Sequence, residues 1–421
     1  MKETRFKDTE IGRIPEDWEA TSIEKLCTLK ARIGWQGLTT GEYLLQGDYI
    51  LITGTDFKDG YIDWKNCWYV SKWRYDQDSN IQIKEGDVLI SKDGTIGKVA
   101  FINSTPGPGT LNSGVFVVRP KQKDIVNQGY LSWIFKSIWF KSFIDQLTAG
   151  STINHLYQKD FVNFKLVYPN DISEQTRIAS ALTSIDNLIS SLDKLIEKKK
   201  AIKEGTMQQL LTGKKRLKGF NEPWVEKELG SVCSIFGRIG FRGYTKADLV
   251  EKHQGAITYS PSDIHNQILD NSNCDYISYE KYEESPEIKV YNGDILFCKT
   301  ASIGKCAIVM NLLEKATINP QFVVLKDFKC NNVFLYYILA FSDFQDRIQL
   351  ITGGSTIPTM SQEKMKRLKI FLPNNEEQNQ ISNLLTSMDQ ELQSLEAKRN
   401  KYIKTKQGMM QQLLTGRIRL A

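Results

Sequence analysis

An internal repeat constrains this sequence more than any other feature. Segments of the first half return in the same order in the second half at a spacing of about 203–207 residues. The last pair is the identical heptapeptide Met-Gln-Gln-Leu-Leu-Thr-Gly. The matched pairs are Trp18 and Trp224, 32–39 and 238–245, 86–98 and 293–305, 150–153 and 354–357, and 207–213 and 410–416. Matches at several independent places in one order indicate a duplicated chain whose two copies fold alike.

Each copy begins with a region of short β-like runs, at 1–170 and 218–373, separated by Gly, Asn, Asp and Pro. Examples of these runs are Val88–Ser91, Lys98–Ile102 and Val115–Arg119. Helical patterns interrupt them at Tyr130–Leu147 and Val333–Leu350. We therefore predict an α+β fold with two repeated, strand-rich domains.

Each copy ends with a helical pattern, at 171–217 and 374–421, in which apolar residues recur at alternating steps of four and three. The residues of this seam are Ile178, Leu182, Ile185, Ile189, Leu192 and Ile196 in the first copy, and Ile381, Leu385, Met388, Leu392 and Leu395 in the second. Such a period keeps one stripe against a partner helix. We predict two helices of about 36 residues, or roughly 54 Å. They should pair as an antiparallel coiled coil with one domain at each end.

The charge of the chain is unevenly distributed, although the net value is only +6. Segments 198–218 and 398–419 together carry a net +14, so the remainder carries −8. A slightly acidic body binds DNA weakly by itself, because attraction to phosphates is electrostatic.

Neither a membrane segment nor a metal site is indicated. No apolar run could span a bilayer, and the N-terminus lacks the apolar stretch of a signal peptide. The seven cysteines are scattered and the three histidines are not spaced as ligands, which favours reduced, buried thiols over disulfides or zinc. We expect a cytoplasmic protein.

Sequence motifs of catalysis are also missing, which predicts that the chain is not an enzyme. Gly94-Thr95-Ile96-Gly97-Lys98 has only two residues between its glycines, so it is not a phosphate-binding loop. Asn319-Pro320-Gln321-Phe322 lacks the second proline of a methyltransferase motif, and no convincing carboxylate set or Gly-x-Ser-x-Gly elbow occurs. Two similar domains held a fixed distance apart instead suit the reading of two DNA half-sites. Because the copies have diverged, the target should be bipartite and asymmetric.

Several motifs resemble those of the specificity subunits of type I restriction–modification systems, and the resemblance covers nearly the whole chain. They are Phe6–Glu19, Gly219–Trp224, the Glu-Gln pairs at 174–175 and 377–378, and the two Met-Gln-Gln-Leu-Leu-Thr-Gly endings. The resemblance implies target-recognition domains at 1–170 and 218–373, a central conserved helical region at 171–217 and a C-terminal one at 374–421.

The same resemblance implies which subunits bind this chain and which reactions they carry out. Two methyltransferase subunits would dock on the scaffold and methylate adenine N6, and ATP-driven restriction subunits would join for cleavage of double-stranded DNA. S-adenosylmethionine, ATP and Mg would be bound by those partners, and no cofactor by this chain. Two rival hypotheses remain: a recognition subunit of a related type II-like system, and a coiled-coil scaffold that binds only proteins.

Comparison of the copies separates residues that hold the loops from residues that read bases. Shared residues cannot explain different half-sites, whereas residues that differ inside a shared loop are candidates for base readout. The DNA-binding candidates are Arg32, Gln36, Thr39, Lys92, Asp93, Thr95, Lys98, Ser151, Thr152, Asn154 and His155 in the first copy, and Arg238, Arg242, Thr245, Lys299, Thr300, Ser302, Lys305, Ser355 and Thr356 in the second.

These candidates lie in three loops: the first at 32–39 and 238–245, the second at 92–98 and 299–305, and the third at 151–155 and 355–359. Three differences stand out within them. Gln36 changes to Arg242, and these side chains pair with adenine and guanine respectively, although both could equally be solvated. Asp93 changes to Thr300, and Asn154-His155 to Pro358-Thr359. His155 is better explained as a hydrogen-bonding group than as a catalyst. The shared lysines of the second loop suit phosphates, and a solvated surface is the alternative.

The basic helix ends have two interpretations that the sequence leaves open. They could follow the phosphates of the spacer between half-sites, or they could present docking faces to the methyltransferases. We favour docking through the amphipathic residues Gln208, Gln209, Leu210, Leu211, Gln411, Gln412, Leu413 and Leu414.

Overall fold

The structure, a computed structural model, describes residues 5–149, 155–265, 267–352 and 359–420. The chain forms two units: the first comprises Met1–Asp193 and Ala397–Ala421, and the second comprises Lys194–Glu396. Each unit thus contains one strand-rich copy and parts of both long helices.

The first unit combines short strands with helices. Its strands are β1 (Phe6–Thr9), β2 (Gly12–Pro15), β3 (Trp18–Ser22), β4 (Cys27–Ala31), β5 (Tyr49–Ile52), β6 (Phe57–Lys58), β7 (Tyr61–Ile62), β8 (Trp68–Val70), β9 (Val88–Ser91), β10 (Val99–Phe101), β11 (Gly109–Leu111), β12 (Val115–Pro120) and β13 (Lys165–Pro169). Its helices are α1 (Ile23–Leu26), α2 (Lys72–Asp76), α3 (Gln128–Ile134), α4 (Ile138–Thr148), α5 (Gln158–Phe161) and the first part of α6 (Ile172–Leu210).

The second unit repeats this order. Its strands are β14 (Val225–Glu228), β15 (Ser234–Gly237), β16 (Leu249–Val250), β17 (Ala256–Tyr259), β18 (Ile264–His265), β19 (Ile268–Leu269), β20 (Asp275–Ile277), β21 (Ile295–Cys298), β22 (Cys306–Ile308), β23 (Ala316–Ile318), β24 (Phe322–Lys326) and β25 (Lys369–Leu372). Its helices are α7 (Leu229–Val232), α8 (Tyr279–Glu283), α9 (Asn332–Ala340), α10 (Ser342–Thr352), α11 (Gln362–Lys366) and part of α12 (Asn375–Leu413).

The two units share a sheet topology. An antiparallel sheet of order β10-β9-β12-β4 in the first unit corresponds to β22-β21-β24-β15 in the second. A second sheet pairs β5 in parallel with β11 and antiparallel with β8, and it corresponds to β17 with β23 and β20. The predicted α+β fold with a strand core is confirmed.

The central sheet is covered on both faces, which explains why its strands read as continuous apolar runs. Successive residues of a strand point to opposite faces. Val88 and Ile90 of β9 therefore join a core with Trp133 of α3, while Leu89 joins a second core with Ile50 of β5. In the second unit Ile295 and Phe297 face α9, and Leu296 and Cys298 face β17 in the same way.

The long helices α6 and α12 have 39 residues each, slightly more than the expected length. Gly213 and Gly416 follow their ends with φ of +68° and +67°, the left-handed conformation that terminates a helix. The seam residues are buried or half-buried along both helices. Ile178 and Leu182 belong to the globular core of the first unit, and Ile381 and Leu385 to that of the second.

Within each unit the two helices run antiparallel. In the first unit Lys406 contacts Asp186 and Arg399 contacts Asp193, so numbers fall on one helix as they rise on the other. In the second unit the Nζ of Lys199 lies 2.7 Å from the Oε1 of Glu391, and the Nζ of Lys203 lies 2.5 Å from the Oδ1 of Asp389. The predicted antiparallel pairing is confirmed inside each unit.

The cysteines are free thiols, as predicted, and burial raises the pKa of Cys27 and Cys306 to about 12. In the described ranges no helix is long and apolar enough to cross a membrane.

Candidate nucleic-acid interface

In each unit the loops that differ between the copies gather where the parallel strand pair and the central sheet end. The amide of Asn112, after β11, donates to the Ile52 carbonyl at 2.9 Å, and the amide of Lys92, after β9, donates to the Gly114 carbonyl at 2.8 Å. The second unit repeats both bonds, from Asn319 to Tyr259 at 2.9 Å and from Lys299 to Gln321 at 2.8 Å. One scaffold therefore presents two sets of loops.

Arg32 and Arg238 hold the first loop to this scaffold. Both side chains are buried, at 2% and 6% exposure. The Nε of Arg32 donates to the Leu111 carbonyl at 2.8 Å, and its Nη2 donates to the Thr110 hydroxyl at 3.1 Å. Arg238 repeats these bonds to Ile318 and Thr317, at 3.1 and 3.3 Å. Because protein acceptors occupy these guanidinium groups, we place the pair among the residues that shape the loop and no longer among the DNA contacts.

Thr39 and Thr245 also organise the backbone of the first loop. The amide and hydroxyl of Thr39 donate to the Oε2 of Glu42 at 2.9 and 3.1 Å, and those of Thr245 donate to the Oδ2 of Asp248 at 2.6 and 3.0 Å. Each threonine caps a short 3₁₀ turn while its own side chain stays exposed. Because both threonines are exposed, their contact with DNA stays a prediction.

Gln36 and Arg242, the first variable pair, differ in exposure as well as in type. Gln36 is 5% exposed, and its Oε1 has no hydrogen-bond partner among the described residues. Arg242 is half-buried, with its Nη1 3.5 Å from the Oε1 of Glu287. Base readout by Gln36 would thus require the loop to open, whereas Arg242 already reaches the surface.

The shared lysines of the second loop differ in how far they are exposed to solvent. Burial lowers the pKa of Lys92 and Lys299, which are half-buried, and the Nζ of Lys92 lies 5.2 Å from the centre of the Phe116 ring. Lys98 is exposed, whereas Lys305 contacts the carbonyl of Pro261. Thr95 and Ser302 lie exposed in the same loops. Of the shared lysines, Lys98 is the freest to meet a phosphate.

The structure brings the other variable positions together in pairs. Asp93 of the second loop forms a backbone bridge with His155 of the third, and their side chains contact through Oδ1 and Nδ1. Thr300 forms the equivalent bridge with Thr359. The remaining predicted residues of the third loop, Ser151, Thr152, Asn154, Ser355 and Thr356, lie outside the described residues.

Sequence comparison missed a hydroxyl motif at the same edge. Thr53 and Thr55 follow β5, and Ser260 and Ser262 follow β17. The first hydroxyl of each pair donates to a buried aspartate, at 3.0 Å to Asp56 and 2.9 Å to Asp263, whose pKa is raised by burial. Thr55 and Ser262 are exposed and can meet a ligand. The repeated pattern hydroxyl-x-hydroxyl-Asp at a spacing of 207 residues was the available signal.

The starts of the long helices are fixed by buried ion pairs. Glu174 is 1% exposed and accepts two bonds of 2.7 Å from Arg419, which also binds Asp17. Glu377 is 0% exposed and accepts bonds of 2.8 and 2.6 Å from Arg216. Gln175 and Gln378 bond to the backbone of the same domains. The Glu-Gln pairs therefore hold the start of each long helix to its own domain.

The leucines that were predicted to dock partners are also internal. Leu210, Leu211, Leu413 and Leu414 are at most 5% exposed and lie in the cores of their units. The docking prediction was wrong for them, because they pack among the core residues of the globular domain in their own unit. Gln208, Gln209 and Gln411 are exposed and Gln412 is half-buried, so only the glutamines can contact a partner.

About half of the cations in the two basic segments are paired internally. Those with acidic partners are Lys199, Lys200, Lys203, Arg216, Arg399, Lys406 and Arg419. The others, which include Lys198, Lys398, Lys401 and Lys404, are exposed. The segments are therefore less cationic at the surface than their composition indicates.

Comparison with known proteins agrees with this architecture. The family model described as "Type I restriction modification DNA specificity domain" matches residues 15–204 and again 221–405. The specificity subunit of the type I restriction enzyme MjaVIII from Methanocaldococcus jannaschii is 27% identical, over 100% of this chain and 97% of its own length. That of EcoKI from Escherichia coli is 21% identical, over 74% of this chain and 68% of its own length.

Solved structures share the fold. The S subunit of a type I restriction–modification system from M. genitalium aligns with a TM-score of 0.63 at 15% identity, over 94% of this chain and 96% of that one. A chain from a study of complex assembly and conformational transition of the type I system aligns with a TM-score of 0.56 at 15% identity, over 96% and 99%. Because both halves match the family model, this chain belongs to the type I restriction–modification DNA specificity family, as a specificity subunit with two recognition domains.

Proposed function

We propose that the chain recognises a bipartite, asymmetric DNA target, with one half-site read by each domain, and that α6 and α12 set the spacing between the half-sites. The observation that carries this proposal is the repeated scaffold at the strand ends. Its holding residues are the same in both units, such as Arg32 and Arg238, while the positions at Asp93 and Thr300 differ in chemistry. Two unequal half-sites require shared residues that position the DNA and different residues that read its bases.

We further propose that the chain is a non-catalytic scaffold on which two methyltransferase subunits and the restriction subunits assemble. S-adenosylmethionine-dependent methylation of adenine N6 and ATP-driven cleavage would then belong to those partners. The paired cations of the long helices support a dependence on partners. Because acids of the same unit neutralise about half of the cations in the two basic segments, fewer are left to bind phosphates than the composition indicates.

We assign methyltransferase docking to the exposed glutamines near each helix end, and in the first unit also to Lys398, Lys401 and Lys404. Contact with spacer phosphates is the alternative for these lysines. Substitution of the three lysines by Gln distinguishes the two: loss of a docking face lowers co-purification of the methyltransferase, while loss of phosphate contacts reduces the salt dependence of DNA binding by about one unit of slope per lysine.

Methylome sequencing of the host, with and without this gene, tests the whole proposal. The expected result is one bipartite consensus, two short half-sites with a fixed unread gap, that disappears when the gene is deleted. Footprinting of the purified complex should show two protected patches. An unchanged methylome together with no sequence-specific footprint would overturn the proposal and favour a scaffold that binds only proteins.

A further inference from the structure

We propose that Asp93 and His155 act as one coupled specificity-determining pair in the first domain, with Thr300 and Thr359 as the corresponding pair in the second. The inference rests on the proposed function in DNA recognition. It goes further by naming which two side chains read together and which kind of base edge they select.

The backbone at this place is the same in both units. The amide of Leu156 donates to the Lys92 carbonyl at 2.7 Å, next to the bridge between Asp93 and His155. The amide of Met360 donates to the Lys299 carbonyl at 2.9 Å, next to the bridge between Thr300 and Thr359. The scaffold therefore presents two side chains, one from each of two loops, at the same position in each unit.

The side chains on this common backbone differ completely. In the first unit a carboxylate contacts the Nδ1 of an imidazole, and the two side chains are 46% and 34% exposed. The imidazole ring also lies 4.4 Å from the Tyr157 ring, which restricts its orientation. In the second unit two hydroxyl groups occupy the equivalent positions.

The chemistry of the first pair selects for an amino group. In the tautomer whose Nδ1–H donates to the carboxylate, the Nε2 of His155 is an acceptor. The second carboxylate oxygen of Asp93 is also an acceptor, so the pair offers only acceptors to the major groove and suits the amino group of cytosine or adenine. The pair would reject guanine, whose edge presents acceptors O6 and N7. Threonine hydroxyls bond to donors or acceptors alike and discriminate less.

The contact between the two side chains predicts that their effects on specificity are coupled. Asp93 orients His155, so replacement of either one removes the arrangement that the other needs. Residues in direct contact generally show non-additive effects. The double substitution should therefore resemble each single substitution.

The test is methylome sequencing of strains that express the whole enzyme with Asp93→Thr, His155→Thr or both. At one position of one half-site, each single variant should lose about tenfold or more in discrimination, and the double variant should lose about as much as one of them. The other half-site should keep its consensus. Asp124→Thr, an exposed acid between β12 and α3, is the matched control and should leave both half-sites unchanged. Thermal denaturation of each purified variant verifies folding.

Two results would overturn the proposal that Asp93 and His155 act as a coupled pair. If the loss in the double variant equals the product of the two single losses, the residues contact DNA independently. If each variant reduces modification equally at all sequences, they only position the DNA backbone. Absence of any bipartite consensus with the unaltered chain is a different result, because it would overturn the proposed function itself and the pair with it.

Discussion

The two recognition domains share the bonds that build their loops and differ in the side chains at the tips of the loops. In both domains a buried arginine fixes the first loop, an aspartate caps the turn after the parallel strand, and a backbone bridge joins the second and third loops. The tips carry a carboxylate and an imidazole in one domain and two hydroxyls in the other. Divergence after duplication has thus changed the exposed groups that we propose read bases, and it has kept the groups that hold the loops.

A second difference lies where each domain meets its long helices. Asp389 in the second unit pairs with one lysine, Lys203 at 2.5 Å, and accepts a bond from Tyr337 at 2.7 Å. Asp186 in the first unit pairs with Lys406 and accepts a bond from Tyr61 at 3.4 Å. The first unit also places a second, half-buried lysine, Lys136, near this aspartate, at a position where the repeat has Ala340. The first domain therefore carries a half-buried lysine at this place, and the second does not.

The largest expected effect comes from lengthening the helices, which should change the gap and leave both domains intact. Duplication of 187–193 in α6 and of 392–398 in α12 adds one heptad to each, about 10.5 Å, or roughly three base pairs. Methylation should disappear from the original sites and return at sites with the same half-sites and a longer gap. The measurement is methylome sequencing. A change in the half-sites themselves would contradict the spacing model.

Loss of the ion pair at the start of a long helix should have the next largest effect. It should destabilise only the unit that contains the pair. Arg216→Ala leaves the fully buried Glu377 carboxylate without its cation and should cost about 3 kcal/mol in the stability of the second unit. Arg419→Ala should cost more in the first unit, because Arg419 also binds Asp17. Hydrogen exchange followed by mass spectrometry measures each unit separately. Equal destabilisation of both units by one variant would argue against these local pairs.

The pair with Asp17 also has a pH dependence. The side-chain hydrogen bond from Arg419 is the main cause that lowers the pKa of Asp17 below 3.8. The stabilising effect of the pair between Arg419 and Asp17 is therefore present above pH 3.8. It is lost as the pH falls through the lower pKa that Asp17 has in the folded state. Asp17→Asn should remove this acid-dependent part and leave the stability of the second unit unchanged.

Substitution of the buried arginine of either first loop should have a smaller effect, confined to its own domain. Arg32→Ala leaves the Leu111 carbonyl without its side-chain donor and should cost about 2 kcal/mol, and Arg238→Ala should do the same in the second domain. Each variant should also lose one half-site from the methylome consensus. Arg32→Lys is the control that keeps the charge without the geometry. Specificity loss with unchanged stability would instead return Arg32 to the DNA contacts.

The smallest effect should come from Lys136. Burial is the main cause that lowers its pKa to about 8, with Lys406 adding to it and Asp186 opposing it. Because the unfolded chain holds this proton up to about pH 10.5, stability should rise with pH between about 8 and 10.5. Lys136→Met should stabilise the first unit by about 1 kcal/mol at pH 7 and by little at pH 10. Denaturation at both pH values measures this, and Lys406→Met, which removes the ion-pair partner of Asp186, should destabilise instead.

Local patterns predicted much of the fold. The run Val88–Ser91 coincides with β9, the apolar seam predicted α6 and α12, and the Thr-Gly endings mark their ends. These features depend on the periodicity of neighbouring residues, which the sequence displays directly. The candidate site was predicted less well. Arg32 was expected at the DNA and is buried, and Leu413 and Leu414 were expected on the surface and lie in the core.

The sequence by itself determined the duplication, the order of the domains and helices, the antiparallel seam and the loops in which the copies differ. Only the tertiary structure decided which residues of those loops are held inside and which are presented together. The burial of Arg32 depends on an acceptor on β11 that is 79 residues away in the sequence. Asp93 likewise contacts a partner, His155, that is 62 residues away. Contacts of this range depend on how the strands pack, and no local pattern records them.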